Sequence, residues 1–187
     1  MSNYSISLIL HVLVYLTDAI FVGSKIIVPI IFLVKVLNVK ITRPEIFTLL
    51  RAVNSLILFS GVLFLIVMIT NFLIVLRSGN EDEFGFMMSQ ITGSHWFQFV
   101  LPVIGYGVLP QVFWAKKIRS SHWAALFIVL SWFMLAYAVD IMTGADKAST
   151  SLSNAGSTTP WLEYAAKGAL YLSLLSLEYF FLIRRKS

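Results

Sequence analysis

Five long apolar runs fill most of this chain, and the loops between them alternate in charge. The runs lie at about residues 6–37, 52–76, 94–113, 123–142 and 163–183. Each holds about 20 residues or more, enough to cross a hydrocarbon core of ~30 Å at ~1.5 Å per helical residue. Runs of this length select helices, because a spanning segment must satisfy its own backbone hydrogen bonds in lipid. Composition closes off the soluble alternative. With 58% hydrophobic and 12% charged residues, the chain lacks the polar surface to cover a water-soluble globule. The expectation is an all-α integral membrane protein, one bundle of five transmembrane helices over residues 1–187.

The loops set the orientation. Lys35, Lys40, Arg43 and Arg51 surround the first connection, Lys116, Lys117 and Arg119 the third, and Arg184, Arg185 and Lys186 the end. The second connection sets Arg77 against Glu81, Asp82 and Glu83, and the fourth holds Asp146 and Lys147. The positive-inside rule then places the N-terminus outside and the C-terminus in the cytoplasm. The net charge of +5 reads as topology determinants and anionic-lipid contacts, with no nucleic-acid partner. No basic segment or small-residue cleavage site precedes the first run, so it reads as a retained helix. His95, Trp96, His122, Trp123 and Trp161 stand at run ends, where amphipathic rings anchor at the headgroup level. Residues 143–160, rich in Ser, Thr, Gly and Asn, read as a mobile outer loop.

His11, Asp18 and Lys25 recur every seven residues in the first run. A seven-residue period drifts only ~20° per step, so the three form one polar stripe climbing ~10.5 Å per step. An ionised group at mid-bilayer costs ~2.5–3.5 kcal/mol, so the stripe is expected to face the bundle interior. Thr70, Asn71 and Tyr106 are the facing candidates by depth. The stripe is either a proton or ion path or a set of polar contacts between helices. In the last run Lys167 and Glu178 share a face, and Tyr164, Tyr171 and Glu178 form a second stripe. Glu178 lies near the cytoplasmic end within reach of Arg184 or Arg185, which points to a structural ion pair. Asp140, near the outer end of the fourth run, completes the candidate polar set, with buried and exposed placements both open.

The first run would span ~48 Å as a straight helix, so it must tilt, protrude or bend, with Pro29 the natural bend. The third run carries Pro102, Gly105, Gly107 and Pro110. Freed carbonyls are tolerated only where neighbours satisfy them, so this helix is expected to pack inside the bundle and to be irregular near Gly105–Pro110. The chain has no cysteine, which excludes disulfides, thiolate zinc sites, cysteine-ligated iron–sulfur clusters and covalent c-type haem within it. His11 and His95 both fall toward the outer side, but His95 opens its helix beside Trp96, and the reading is against a haem. Nothing clusters a nucleophile, a base or a metal set, so no catalytic or metal residue is assigned.

The stretch from about Lys35 to Met142 resembles the polysulfide-reductase-type (NrfD-like) membrane subunits, closest to the large quinol-oxidising membrane subunit of bacterial alternative complex III. The matching residues are Ser78-Gly79-Asn80-Glu81-Asp82-Glu83, Thr92-Gly93-Ser94-His95-Trp96, and Pro110-Gln111-Val112-Phe113-Trp114-Ala115-Lys116-Lys117-Ile118-Arg119, with Asn54 and the Lys-rich first connection. The match covers the C-terminal half of such a subunit. Where the family carries Gly-Met-Trp-x-Glu-Arg in the next helix, this chain has Ala136, Tyr137, Val139 and Asp140, and it has no counterpart of the quinol-site bundle. The resemblance implies a bacterial inner-membrane setting beside other electron-transfer subunits, with quinone contact possible, without a complete quinol site.

Three function classes follow. The first is an accessory or scaffold subunit of a respiratory or related electron-transfer complex, contacting quinone or lipid and housing no redox centre. The second is a small transporter or ion-conducting protein built on His11, Asp18 and Lys25. The third, a membrane enzyme, lacks a catalytic constellation.

Overall fold

The structure, a computed structural model, describes residues 3–37, 43–93, 96–147 and 160–184. Among these residues six α-helices follow one another: α1 (Asn3–Val36), α2 (Arg43–Ser78), α3 (Glu81–Thr92), α4 (Trp96–Pro102), α5 (His122–Lys147) and α6 (Pro160–Arg184). Between α4 and α5 the rod continues as a π-helical turn, Val103–Val108, and a 3-10 turn, Leu109–Trp114. Among the described residues four stretches are long and apolar enough to cross a membrane: Leu8–Val36, Glu45–Ser78, Trp96–Trp114 and Trp161–Arg184. The side chains of α5 are described through Ala138, and His122–Ala138 is a shorter apolar helix. The described residues are all-helical, and by length and composition these helices are those of a multi-pass membrane protein.

α1 lies at the centre, packed on α2, α5 and α6, while α2 also packs on α6 and on the broken rod after α4. Ile20, Val53, Ile57, Phe113, Trp132 and Tyr171 are among the best-buried side chains where these helices meet. The outward faces are apolar instead, with Leu33, Ile69, Phe127 and Phe181 all more than half exposed. That distribution suits a hydrocarbon solvent and not water.

Several boundaries differ from the pattern of apolar runs. α2 begins at Arg43 and not near residue 52, so Arg51 lies within it. Pro44 and Glu45 explain the early start, since proline and an acidic residue both favour a first helical turn. α2 is 36 residues long, ~54 Å, so its ends project beyond a bilayer core. Gly79 then takes φ +64°, a left-handed turn that ends α2 without a Cβ penalty. Asn80 caps α3, its Oδ1 accepting from the backbone N–H of Asp82 at 3.1 Å and of Glu83 at 3.5 Å. α3 buries none of its residues and leaves Phe84 and Phe86 exposed. α1 runs on through Pro29 as one helix, although the proline ring withdraws the N–H that the Lys25 carbonyl would accept.

The segment after α4 is irregular over the span where prolines and glycines alternate. The Leu109 N–H bonds the Ile104 carbonyl five residues back, which leaves the Gly105 carbonyl without its helical donor. Trp132 of α5 supplies one, its Nε1–H donating to Gly105 O at 2.7 Å. Gln111 likewise donates through Nε2 to Gly107 O at 2.9 Å. Gly105, Gly107, Pro110 and Phe113 are buried, whereas Ile104, Val108 and Val112 are exposed. One face of this rod packs inward and the other stays open.

Candidate functional site

The site grows from a close approach between α1 and α6. A β-carbon on Gly23 would lie 2.1 Å from Cγ of Tyr171, so only glycine lets the tyrosine ring settle on α1. Lys167 stands one turn before Tyr171 on the same face of α6, and this register brings it to Asp18. Its Nζ donates to Asp18 Oδ2 at 2.5 Å and meets Glu163 Oε1 at 2.6 Å, with the Tyr15 ring 5.6 Å away. The Lys167 side chain is 11% exposed and that of Asp18 48% exposed, so the amine is enclosed while the carboxylate still faces open space. A charge-assisted contact across helices is the arrangement a low-dielectric setting favours.

That open space is a partly open cleft of about 440 Å³ between α1, α2 and the π turn. Asp18, Lys25, Asn71 and Tyr106 line it, with Phe21 and Phe64 among its apolar walls. Lys25 Nζ lies over two rings, 5.5 Å from the centroid of Tyr106 and 5.8 Å from that of Phe133. Among the described residues no carboxylate forms a salt bridge with it. Tyr106 is held in an aromatic cluster, its ring centroid 4.8 Å from Phe21, 5.6 Å from Trp132 and 6.0 Å from Phe64.

The seven-residue spacing thus places Asp18 and Lys25 in one cleft, with Asn71 and Tyr106 from the other helices. His11 lies on an exposed part of α1 and does not line it. Thr70 is directed elsewhere, its hydroxyl donating to the Ile66 carbonyl at 2.7 Å. Glu178 is half-buried, and Arg184 lies over the Phe180 ring, 4.6 Å from its centroid. Lys40, His95, Arg185, Lys186 and residues 148–159 lie outside the described residues, as does the side chain of Asp140.

Three features escaped the sequence reading. The sequence places Lys167 on one face of α6 with Glu178 and names no partner for it, and in the structure it pairs across to Asp18 of α1. Ser24 Oγ and the Tyr171 hydroxyl are buried close enough to interact, and among the described residues neither makes a hydrogen bond of ordinary length and angle. At the far end of the bundle, fully buried Asn54 donates to the Arg119 carbonyl at 2.8 Å, and Arg119 Nε donates to the Phe113 carbonyl at 3.0 Å. Beside them Lys35 Nζ lies 2.8 Å from His122 Nδ1, tying the end of α1 to the start of α5.

Among the described residues no group of three or more metal-binding side chains converges. Comparison with protein families, with curated proteins and with solved structures finds no match for the chain.

Proposed function

We propose that this protein is an accessory, scaffolding subunit of a respiratory or related electron-transfer complex in a bacterial cytoplasmic membrane. In this reading α5 is a fifth span, the N-terminus is outside and the C-terminus is cytoplasmic. The observation that carries the scaffolding role is the Asp18–Lys167–Glu163 cluster, where charges within the apolar bundle tie α1 to α6 in direct contact. Charges used in this way support assembly more than conduction. The motifs from Ser78 to Glu83 and from Pro110 to Arg119 support the electron-transfer setting. The broad apolar flanks suit companion membrane subunits, quinone and lipid, and the redox centres belong to the companions.

A transporter is the second reading, favoured by one observation: the cleft brings Asp18 and Lys25 to a partly open space. One pair of experiments separates the two. Purification in mild detergent is expected to bring down companion subunits carrying iron–sulfur or haem centres, and deletion of this chain to lower the yield of the assembled complex. Proton or solute flux in vesicles holding the chain alone, abolished by Asp18→Asn, would establish the transporter instead.

A further inference from the structure

We propose that the cleft above Lys25 is a binding site for a single-chain amphiphile with a carboxylate head, a long-chain fatty acid in chemical class. The inference rests on the bilayer-spanning reading and is independent of any role in electron transfer.

The first observation is a set of donors without acceptors. Lys25 Nζ, the Tyr106 hydroxyl and the Asn71 amide all belong to residues lining the cleft, and none makes a hydrogen bond to the described residues. Lys25 and Tyr106 sit together, with the ammonium nitrogen 5.5 Å from the ring centroid, so both can donate to one headgroup. Ring faces attract a cation but accept none of its N–H bonds in the way an oxygen does.

The second observation concerns charge. Asp18 lines the same cleft, but Lys167 holds its carboxylate at 2.5 Å. Asp18 stands two turns from Lys25 along α1, ~10.5 Å in rise, and therefore attracts it only at longer range. A carboxylate arriving at Lys25 forms the contact pair that Asp18 does not. It also reaches that pair from either starting state. A neutral acid dissolved in the bilayer transfers its proton to a neutral Lys25 amine, and a carboxylate meets an ammonium directly. The product is the same carboxylate–ammonium pair.

The third observation is shape. The cleft is about 440 Å³, within the ~300–1,000 Å³ range of small-molecule sites, and Val14, Phe21, Phe64, Val67 and Met68 give it apolar walls. Val14 lies eleven residues before Lys25, ~16 Å along α1, so an alkyl chain can lie against these walls from the headgroup upward, passing the Asp18 carboxylate that Lys167 already engages.

The test uses the full chain in nanodiscs of phosphatidylcholine with a diazirine-bearing palmitate as probe. Saturable labelling of α1, α2 or the Tyr106 peptide is expected, displaced by palmitate and at least tenfold less well by methyl palmitate or a short-tailed neutral quinone. Lys25→Met is expected to weaken labelling at least tenfold, Tyr106→Phe about threefold, and Lys25→Arg little. Gel filtration confirms that each variant is folded, and if Lys25→Met fails there, Tyr106→Phe and the ester competition decide. Labelling that does not saturate, that persists in folded Lys25→Met, or that the ester or quinone displaces as well as palmitate overturns the proposal. None of these outcomes bears on copurification with companion subunits, so the two readings fail separately.

Discussion

Removing both carboxylates around Lys167 should be worse than removing the lysine as well. Lys167 Nζ is enclosed between Asp18 at 2.5 Å and Glu163 at 2.6 Å, with only 11% of the side chain exposed. Asp18→Asn alone leaves Glu163 as counter-charge, and the Asp18 carboxylate is only half enclosed to begin with. Double-mutant cycles for polar contacts inside membranes average ~0.6 kcal/mol with a maximum near ~1.7. A charge-assisted bond belongs toward the upper part of that range, so about 1 kcal/mol is expected for the single change. Asp18→Asn with Glu163→Gln strands an ammonium among apolar helices, which costs about 2.5–3.5 kcal/mol on the insertion scale. Adding Lys167→Met to that pair removes the stranded charge and should restore about 1–2 kcal/mol. The measurement is reversible unfolding in mixed micelles, followed by tryptophan fluorescence. A triple variant no more stable than the double would show that the amine is not held as described, and the α1–α6 clamp would go with it.

Trp132→Phe keeps an aromatic ring but deletes the donor to Gly105 O and leaves a cavity where the larger indole is fully buried, so a loss of about 1–3 kcal/mol or more is expected in the same unfolding assay; no loss would mean that neighbouring groups fill that space and satisfy that carbonyl. Gly23→Leu drives a side chain into the Tyr171 ring, with an expected cost of about 1–3 kcal/mol or more, and it should abolish the Asp18–Lys167 coupling by pushing α6 away. Topology is testable without background because the chain has no native cysteine. Single cysteines at positions 80 and 152 should react with an impermeant reagent from outside and those at 40 and 118 should not, while the reverse pattern refutes the orientation.

Periodicity carried the face and not the partner. The spacing of Asp18 and Lys25 says that they look the same way, because that depends on one helix alone. Which residue meets Asp18 depends on the rotation and height of α6, and these follow from the Gly23–Tyr171 contact between positions 148 residues apart. No local pattern encodes that contact, so intrahelical geometry yields only the face that Lys167 shares with Glu178 and not its partner Asp18. Thr70 and Asn71 show the same limit at finer grain: neighbours in sequence and depth, they diverge by ~100° around α2, and only Asn71 turns to the cleft. By contrast, α3 was legible and overlooked. Asn80 followed by Glu83 is a helix-start signature, but the acidic run drew it into a reading as a loop.

The irregular rod and the cleft are one feature, and Tyr106 joins them. A π turn carries one more residue than the α-helical register, which shifts everything after it by ~100° around the helix axis. Prolines at 102 and 110 loosen the hydrogen-bond ladder on either side, and glycines at 105 and 107 let α5 and α2 approach closely enough for Trp132 and Leu65 to lock the turn. Tyr106, between those glycines, is thereby packed against Phe21 and Phe64 and presented to Lys25. An unbroken α-helix through the same residues would present a different face to α1. The freed backbone carbonyls are satisfied by Trp132 and Gln111, so the irregularity is stabilised by side chains outside the cleft. Lys25, Tyr106 and Asn71 therefore face the cleft without hydrogen-bond partners among the described residues, whereas Asp18 is held by Lys167.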